Sequence, residues 1–454
     1  MRVTAADLWE PAPGRVLTWQ VTGGGPGREV PLSLNQRNHL AAAAAGEPAV
    51  WLAVSFEVDG PIDAGAAQRA FAALVARHGV LQTEAVSPTY AVRRERASFA
   101  WSPGLDRETT DVASTRELLA GLFDEGCRSW GYPGFVPAAI SRPDRSQLVI
   151  GMDHFYTDAF SLSVIVDDLG RLYDEERGIP GPDLPPASCF VAGARAESED
   201  PVRMWPDDER LRYWHDFLAH SGHRMPSFPI DLGVAPGERH AQATYVGALA
   251  DAATTERLAR PPATTSAVVL SALAGAIGDL GGPAELDILM PMHTRSGPRE
   301  LRAVGWYTTT VPVTLGADVT ATSLALRAAR RAREVPLEQV FASLSAPLTQ
   351  ERRDVFMASY LDYRRLPGHA HSAVRRPEHI SSPTLADDLQ LWVSRTDAGL
   401  GLRVRYPATG TAQRVVGDLV AAWSARLARC VLGEGADNPG GAEAEPRTGV
   451  VGRA

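Results

Sequence analysis

The chain is 454 residues long with a formal net charge of −9, and all 45 of its basic residues are arginine. Without lysine, Schiff-base, P-loop and lysine general-base chemistry are excluded, because arginine keeps its proton and cannot take those roles. The acidic balance argues against nucleic acid as a partner, since phosphate neutralisation needs a basic face. No apolar run approaches the roughly 20 residues needed to span a membrane, and residues 1–20 lack the regions of a secretory signal, so a cytoplasmic protein is expected. Cys127, Cys189 and Cys430 are odd in number and widely spaced, which speaks against a disulfide framework and against a metal site.

In chain order, Gly23, Gly24, Gly25 and Pro26 mark a loop, and the regular part of the chain begins at 30–40. Residues 51–58 alternate, with Leu52, Val54, Phe56 and Val58 on one face, which predicts a half-buried strand. Asp63 is placed as an N-cap, Ala67, Phe71, Leu74, Val75 and His78 recur at helical spacing, and Gly79 stands where a helix C-cap belongs. A second strand-then-helix unit follows: a strand at 148–152, a loop at 153–159, and a helix capped by Ser161 and ended by Gly178. Its buried stripe is Ile165, Leu169, Leu172 and Tyr173. The Pro- and Gly-rich stretch 178–186 predicts a linker between two lobes, 1–180 and 187–432.

The second lobe reads as helix 266–280, strands 286–290 and 307–315, helix 323–333 and strand 356–363. Strands 389–393 and 400–406 form a hairpin, and helix 415–430 closes the lobe. Both halves are therefore α/β. Residues 433–454, poor in apolar side chains, read as a disordered tail.

The stretch Asp153-His154-Phe155-Tyr156-Thr157-Asp158-Ala159-Phe160-Ser161 stands out, because it puts a histidine and an aspartate four apart in a loop at a strand's C-terminal end. With an ordinary pKa of about 6.5, a histidine held there can take a proton from an attacking amine or hydroxyl at neutral pH. A buried, merely structural histidine fits the same spacing, so context has to decide.

Six ordered segments supply it. Pro31-Leu32-Ser33-Leu34-Asn35-Gln36 resembles a P-L-S-x-x-Q opening, and the run through Arg77-His78-Gly79-Val80-Leu81-Gln82 is similar to an R-H-x-x-L-R ending. The 153–161 loop resembles H-H-x-x-x-D-G. Tyr213-Trp214-His215-Asp216-Phe217-Leu218 is similar to Y-W-x-x-x-L, Gly305-Trp306-Tyr307-Thr308-Thr309-Thr310-Val311-Pro312 to G-x-F-x-N-T-x-P, and Val335-Pro336-Leu337-Glu338 to V-P-F-E. Together, over about residues 30 to 430, these resemble the condensation-domain family of nonribosomal peptide synthetases.

The resemblance implies a pseudodimer of two chloramphenicol acetyltransferase-like lobes around a V-shaped cleft. Donor and acceptor would meet at His154, each usually carried on the phosphopantetheine arm of an acyl or peptidyl carrier protein, with no tightly bound cofactor. Asp158 would be paired with an arginine of the second lobe, for which Arg295 is the candidate. Asp153, Tyr156, Thr157, Trp306, Tyr307 and Thr309 are the candidate substrate-binding residues, while His78 and Trp214 read as structural.

The sequence departs from the family pattern at Asp153, in place of the first histidine, and at Ala159, in place of the glycine. Asp153 and Asp158 also satisfy the D-x-x-x-x-D of heterocyclization domains, but those lack the histidine present here as His154. Epimerization relatives need a glutamate where this chain has Pro291. The expected activity is free-standing condensation, in which an amine or hydroxyl attacks a thioester carbonyl. A coenzyme A-dependent O-acyltransferase of the same fold and a non-catalytic recruitment module remain the alternatives.

Overall fold

The computed structural model describes residues 1–23, 25–95, 99–259 and 261–432; the expected tail 433–454 lies outside them. Two seven-stranded mixed sheets define two lobes. In the first, the order is Arg2–Ala5, Glu378–Ser381, Trp51–Asp59, Arg145–Asp153, Phe135–Ser141, Arg15–Gly23 and Phe99–Glu108. Trp51–Asp59 lies antiparallel to Arg145–Asp153, so that Trp51 faces Asp153 and Asp59 faces Arg145.

The strand expected to be half-buried is buried on both faces. Val54, Phe56 and Val58 pack with Phe71 and Leu74 of helix Ala64–Arg77 and with Ile165 and Leu169 of helix Ala159–Glu176. Trp51 and Ala53 point the other way, onto Leu119 and Phe123 of helix Val112–Gly126. Leu52, assigned to the buried face, is only partly buried. A sheet covered by helices on both sides needs apolar side chains at successive positions and so overrides simple alternation.

The second sheet runs Thr308–Gly316, Glu285–His293, Met357–Asp362, Gln390–Thr396, Gly399–Pro407, His240–Asp251 and Leu385–Ala386. Its core is filled by helix Thr265–Asp279, apolar around most of its circumference, and by Leu419, Trp423 and Leu427 of helix Gly410–Leu432. The indole of Trp423 donates to Val269 O at 2.9 Å, so this large buried ring keeps its polar atom satisfied.

The division at 180/187 fails at one place. Glu378–Ser381 leaves the second lobe and pairs in the first sheet, antiparallel to Trp51–Asp59 and parallel to Arg2–Ala5. The chain then returns through Leu385–Ala386, which pairs with His240 and Ala241 of the second sheet. One segment thus stitches the lobes together.

Two helix ends also differ from expectation. The helix after His154 begins at Ala159 with Asp158 as its cap, accepting from Ser161 N at 2.8 Å, whereas Ser161 was the expected cap. Ser161 lies one turn inside and spends its hydroxyl on tertiary partners. The helix Ala64–Arg77 ends at His78, and Gly79 opens a short 3-10 turn. Asp63 and Gly178 act as expected: the former accepts from Ala66 N, and the latter follows the last helical turn with φ of 74°.

Candidate active site

Each lobe delivers one strand end to the junction. Arg145–Asp153 leads directly into a 3-10 turn of His154, Phe155 and Tyr156, and Glu285–His293 leads to Arg295 two residues on. The turn is pinned from several sides: Asp153 N donates to Gly134 O and His154 N to Val50 O, each at 2.8 Å. A third tie comes from the Pro31–Gln36 motif. Ser33 and Gln36 form a capping box at the start of helix Leu34–Ala44, and the Gln36 amide donates to Phe155 O at 3.0 Å. A helix cap thereby also fixes the turn that carries His154.

Arg295 crosses the junction to Asp158. Nη1 lies 2.9 Å from Oδ2 and Nη2 3.1 Å from Oδ1, a bidentate pair with both side chains buried. Nη2 also donates to Ser161 Oγ at 2.8 Å and to Ala303 O at 3.2 Å. The guanidinium lies between the rings of Phe160 and Tyr307, at 4.5 and 4.4 Å from their centroids. Asp158 accepts in addition from Tyr307 N at 3.0 Å. Burial by itself would raise its carboxyl pKa, but the charge and hydrogen bonds of Arg295 outweigh that and hold it below the ordinary value. The carboxylate therefore caps a helix of one lobe while gripping an arginine and a backbone amide of the other.

Further ties run between the same elements. Arg302 reaches Asp167 and Asp168 at 2.6 and 2.8 Å, and Asp168 also holds Arg77 and the buried His78. His78 is thus a structural ligand of this network. Arg37 pairs with Glu338 of the V-P-L-E motif, and Tyr213 of the Y-W motif donates to Pro312 O at 2.9 Å. Trp214 is buried in the core beneath helix Glu209–His220. Gly305 has no room for a side chain, because a Cβ there would stand 2.4 Å from the Phe190 ring.

His154 is half-buried at this junction, under Trp306, with the two ring centroids 3.9 Å apart and the planes at 31°. Nδ1 is sealed without a hydrogen-bond partner; Nε2 is neither sealed nor hydrogen-bonded, and is the atom open to a substrate. Burial first, and the neighbouring His39 second, push the pKa of His154 down to about 4. The imidazole is neutral at physiological pH, and its Nδ1–H tautomer accepts at Nε2. Because burial is the larger cause, Trp306→Ala is expected to raise the His154 pKa from about 4 toward about 6.5. Histidine NMR titration measures this, and an unchanged midpoint would contradict the assignment of the shift to the indole cover.

The other candidates separate. Trp306, Tyr307 and Thr309 are partly exposed on the second-lobe side, with Tyr307 committed through its backbone to Asp158 and its ring to Arg295. Tyr156 and Thr157 do not face the cleft. The Tyr156 ring packs against Phe135 and Phe155 and its hydroxyl donates to Thr83 O at 2.9 Å, and Thr157 is fully buried, because the 3-10 turn rotates both into the first-lobe core. Asp153 is fully buried as well and accepts from Phe155 N, from Ser129 Oγ and from the His39 ring, so it faces protein partners and not a substrate.

His39 and Ser129 were not singled out from the sequence. The only local sign of His39 is its position three residues after Gln36, which puts both on one face of helix Leu34–Ala44. A separate cavity of about 240 Å³, lined by Ser163, Val166, Tyr363, Gly368, His369 and His379 among others, lies further along helix Ala159–Glu176 and does not include His154. Among the described residues no group of three or more His, Cys, Asp or Glu could hold a metal ion, and no helix is long and apolar enough to cross a membrane.

This geometry agrees with the comparison to known proteins. The condensation-domain family model matches residues 27–372. The chain belongs to the condensation-domain family. Acyltransferase PapA3 of Mycobacterium tuberculosis is 22% identical over 456 residues, covering 92% of this chain and 94% of that protein. Trehalose-2-sulfate acyltransferase PapA2 of the same organism is 24% identical over 332 residues, covering 69% and 70%. Among solved structures, PapA2 acyl transferase superposes with a TM-score of 0.83 at 21% identity, covering 95% of this chain and all of that one. The condensation domain of the monacolin K polyketide synthase MokA gives 0.65 at 17% identity, covering 90% and 99%. The fold is the two-lobed one expected, and the chain is an acyltransferase of this family.

Proposed function

We propose that this chain transfers an acyl group from a phosphopantetheine thioester to a hydroxyl acceptor in the cleft between the lobes. The observation that carries the reading is His154: an uncharged imidazole with Nε2 open, at the junction that the Asp158–Arg295 pair locks. The acceptor oxygen bonds to the thioester carbonyl carbon, the carbon–sulfur bond breaks, and the acceptor's proton passes through the cleft to the departing thiolate. His154 accepts the hydrogen bond that aims the attacking oxygen. A hydroxyl acceptor is supported by the curated relatives, one of which is named for acylating a sulfated trehalose.

A second reading keeps the same chemistry with a carrier-protein-borne donor and an amine acceptor. The condensation-domain match over 27–372 favours it. Asp153, Tyr156 and Thr157 have no place in either reading as substrate contacts, whereas Trp306 and Thr309 remain proposed cleft residues.

The test is acceptor-dependent thiol release from acyl-coenzyme A thioesters, acetyl to palmitoyl, and from the same acyl groups on a phosphopantetheinylated carrier protein. Trehalose supplies hydroxyls and ethanolamine an amine. Release from coenzyme A thioesters with trehalose is expected. Release only from the carrier and only with the amine favours the second reading, and no acceptor-dependent release from any pair sinks both.

A further inference from the structure

Beside His154 stands a second imidazole with a different environment. His39 Nε2 lies 2.7 Å from Asp153 Oδ1 and 3.2 Å from Ser129 Oγ, and its ring centroid is 6.4 Å from that of His154 and 5.7 Å from that of Trp306. The other two partners of Asp153 are the Phe155 N–H, a fixed donor to Oδ1 at 2.8 Å, and the rotatable Ser129 hydroxyl at 2.9 Å from Oδ2, and an ionised carboxylate can only accept from each of them. Asp153 is thus an acceptor throughout, and the hydrogen shared with His39 belongs to Nε2. Nδ1 is left bare, and it is neither hydrogen-bonded nor among the sealed nitrogens. A carboxylate that takes one ring N–H of a histidine fixes the tautomer and makes the opposite nitrogen the proton acceptor; its charge then offsets the one the ring acquires. His154 has no such carboxylate on its ring.

We propose that Asp153 and His39 form a second proton-accepting dyad in the cleft, with His39 Nδ1 receiving the acceptor's proton while His154 holds the acceptor in place. This deepens the acyl-transfer reading and rests on it. As the acceptor O–H adds to the carbonyl carbon, its proton moves to Nδ1 of His39. When the carbon–sulfur bond breaks, that proton goes to the thiolate, and the dyad is restored with no net gain or loss. The aspartate at the position of the family's first histidine is then the group that orients an imidazole delivered from another helix.

The ionisable groups that face His39 are Asp153 on its strand and His154 in the following turn, while Cys127 interacts with Asp153 and Asp158 with His154. Arg37 on its own helix is turned away to Glu338. Only Asp153, among the charged groups described, is hydrogen-bonded to the ring.

Two measurements on the full chain test the proposal. Long-range proton–nitrogen NMR of the imidazoles is expected to show neutral His39 as the Nε2–H tautomer, and Asp153→Asn to lose that preference. Thiol release from palmitoyl-coenzyme A with trehalose is expected to fall about 100-fold in kcat for His39→Gln and for Asp153→Asn, with KM within about twofold. The double variant should lose no more than the worse single, as two groups that act as one unit do. Either of two results overturns the dyad: the Nδ1–H tautomer in the wild type, or a folded His39→Gln within about threefold of wild-type kcat. Loss in His39→Gln with full activity in His154→Ala would instead keep the dyad and remove His154 from the proposed mechanism. A wild type that releases no thiol removes the acyl-transfer reading and leaves the tautomer to decide the dyad.

Discussion

Arg295→Ala is expected to destabilise the protein by about 3–5 kcal/mol, the range found when one partner of a buried ion pair is removed and the other is left behind. Asp158 has almost no solvent to turn to, and the hydrogen bonds of Arg295 to Ser161 and Ala303 are lost together with the pair. Cavity formation between Phe160 and Tyr307 adds to the cost. The pH dependence carries a sign of its own. In the wild type the Asp158 pKa lies below its unfolded value, so its stabilising contribution is present above about pH 4 and is lost as pH falls through the folded pKa. In the variant burial still raises the carboxyl pKa, opposed by the bonds from Ser161 and Tyr307 N but no longer by Arg295, so the carboxyl pKa rises and protonation costs the folded state less. The gap in melting temperature between wild type and variant should therefore narrow from pH 7 toward pH 4. Arg295→Lys, which keeps the charge and loses the fork, should fall between the two. Equal melting temperatures at pH 7, or a gap that does not change with pH, would contradict the account.

The same pair shows what the sequence discloses and where it stops. The helix at 159–176 is legible from the spacing of Ile165, Leu169 and Tyr173, yet two cap-forming residues, Asp158 and Ser161, compete for its start. Ser161 loses because its hydroxyl is claimed by Gly305 and Arg295, more than 130 residues away in sequence. The strand at 51–58 was legible as a strand, but the helix that buries its second face is not written in its own alternation. Glu378–Ser381 is too short and too polar to read as a strand at all, and only its neighbours in the first sheet make it one.

For the site, the spacing of His154 and Asp158 put both in one strand-to-helix connection, where the structure has them, but singling them out took segments spread over the whole chain. Local context misled for Tyr156 and Thr157: adjacency to His154 in sequence says nothing about direction once a 3-10 turn rotates successive side chains by about a third of a turn each. His39 is the reverse case. It lies 114 residues from Asp153, and nothing near it marks it as a partner. Its absence from the sequence reading left Asp153 looking like a substrate contact, when the aspartate is occupied by protein on every side.

His154→Ala is expected to lower kcat of thiol release by about 10²- to 10⁴-fold with little change in KM, the range for removing a group that acts on the transferring proton or aims its donor. The fold should survive, because Nδ1 of His154 has no partner to leave stranded and Nε2 is open to the cleft. This differs from Arg295→Ala, where activity falls through the structure, so the pair of variants separates chemistry from architecture. The protonation state also has a definite expectation. With its pKa pushed down to about 4 by burial and by His39, the His154 signal in an NMR titration should be flat across pH 5.5 to 7.5, about the range of cellular use, and should move only near about pH 4. Histidine resonances compared between wild type and His154→Ala assign that signal. Unchanged turnover in a folded His154→Ala would remove His154 from the proposed mechanism. A midpoint at about 6.5 would instead show that Trp306 does not keep the imidazole covered in solution.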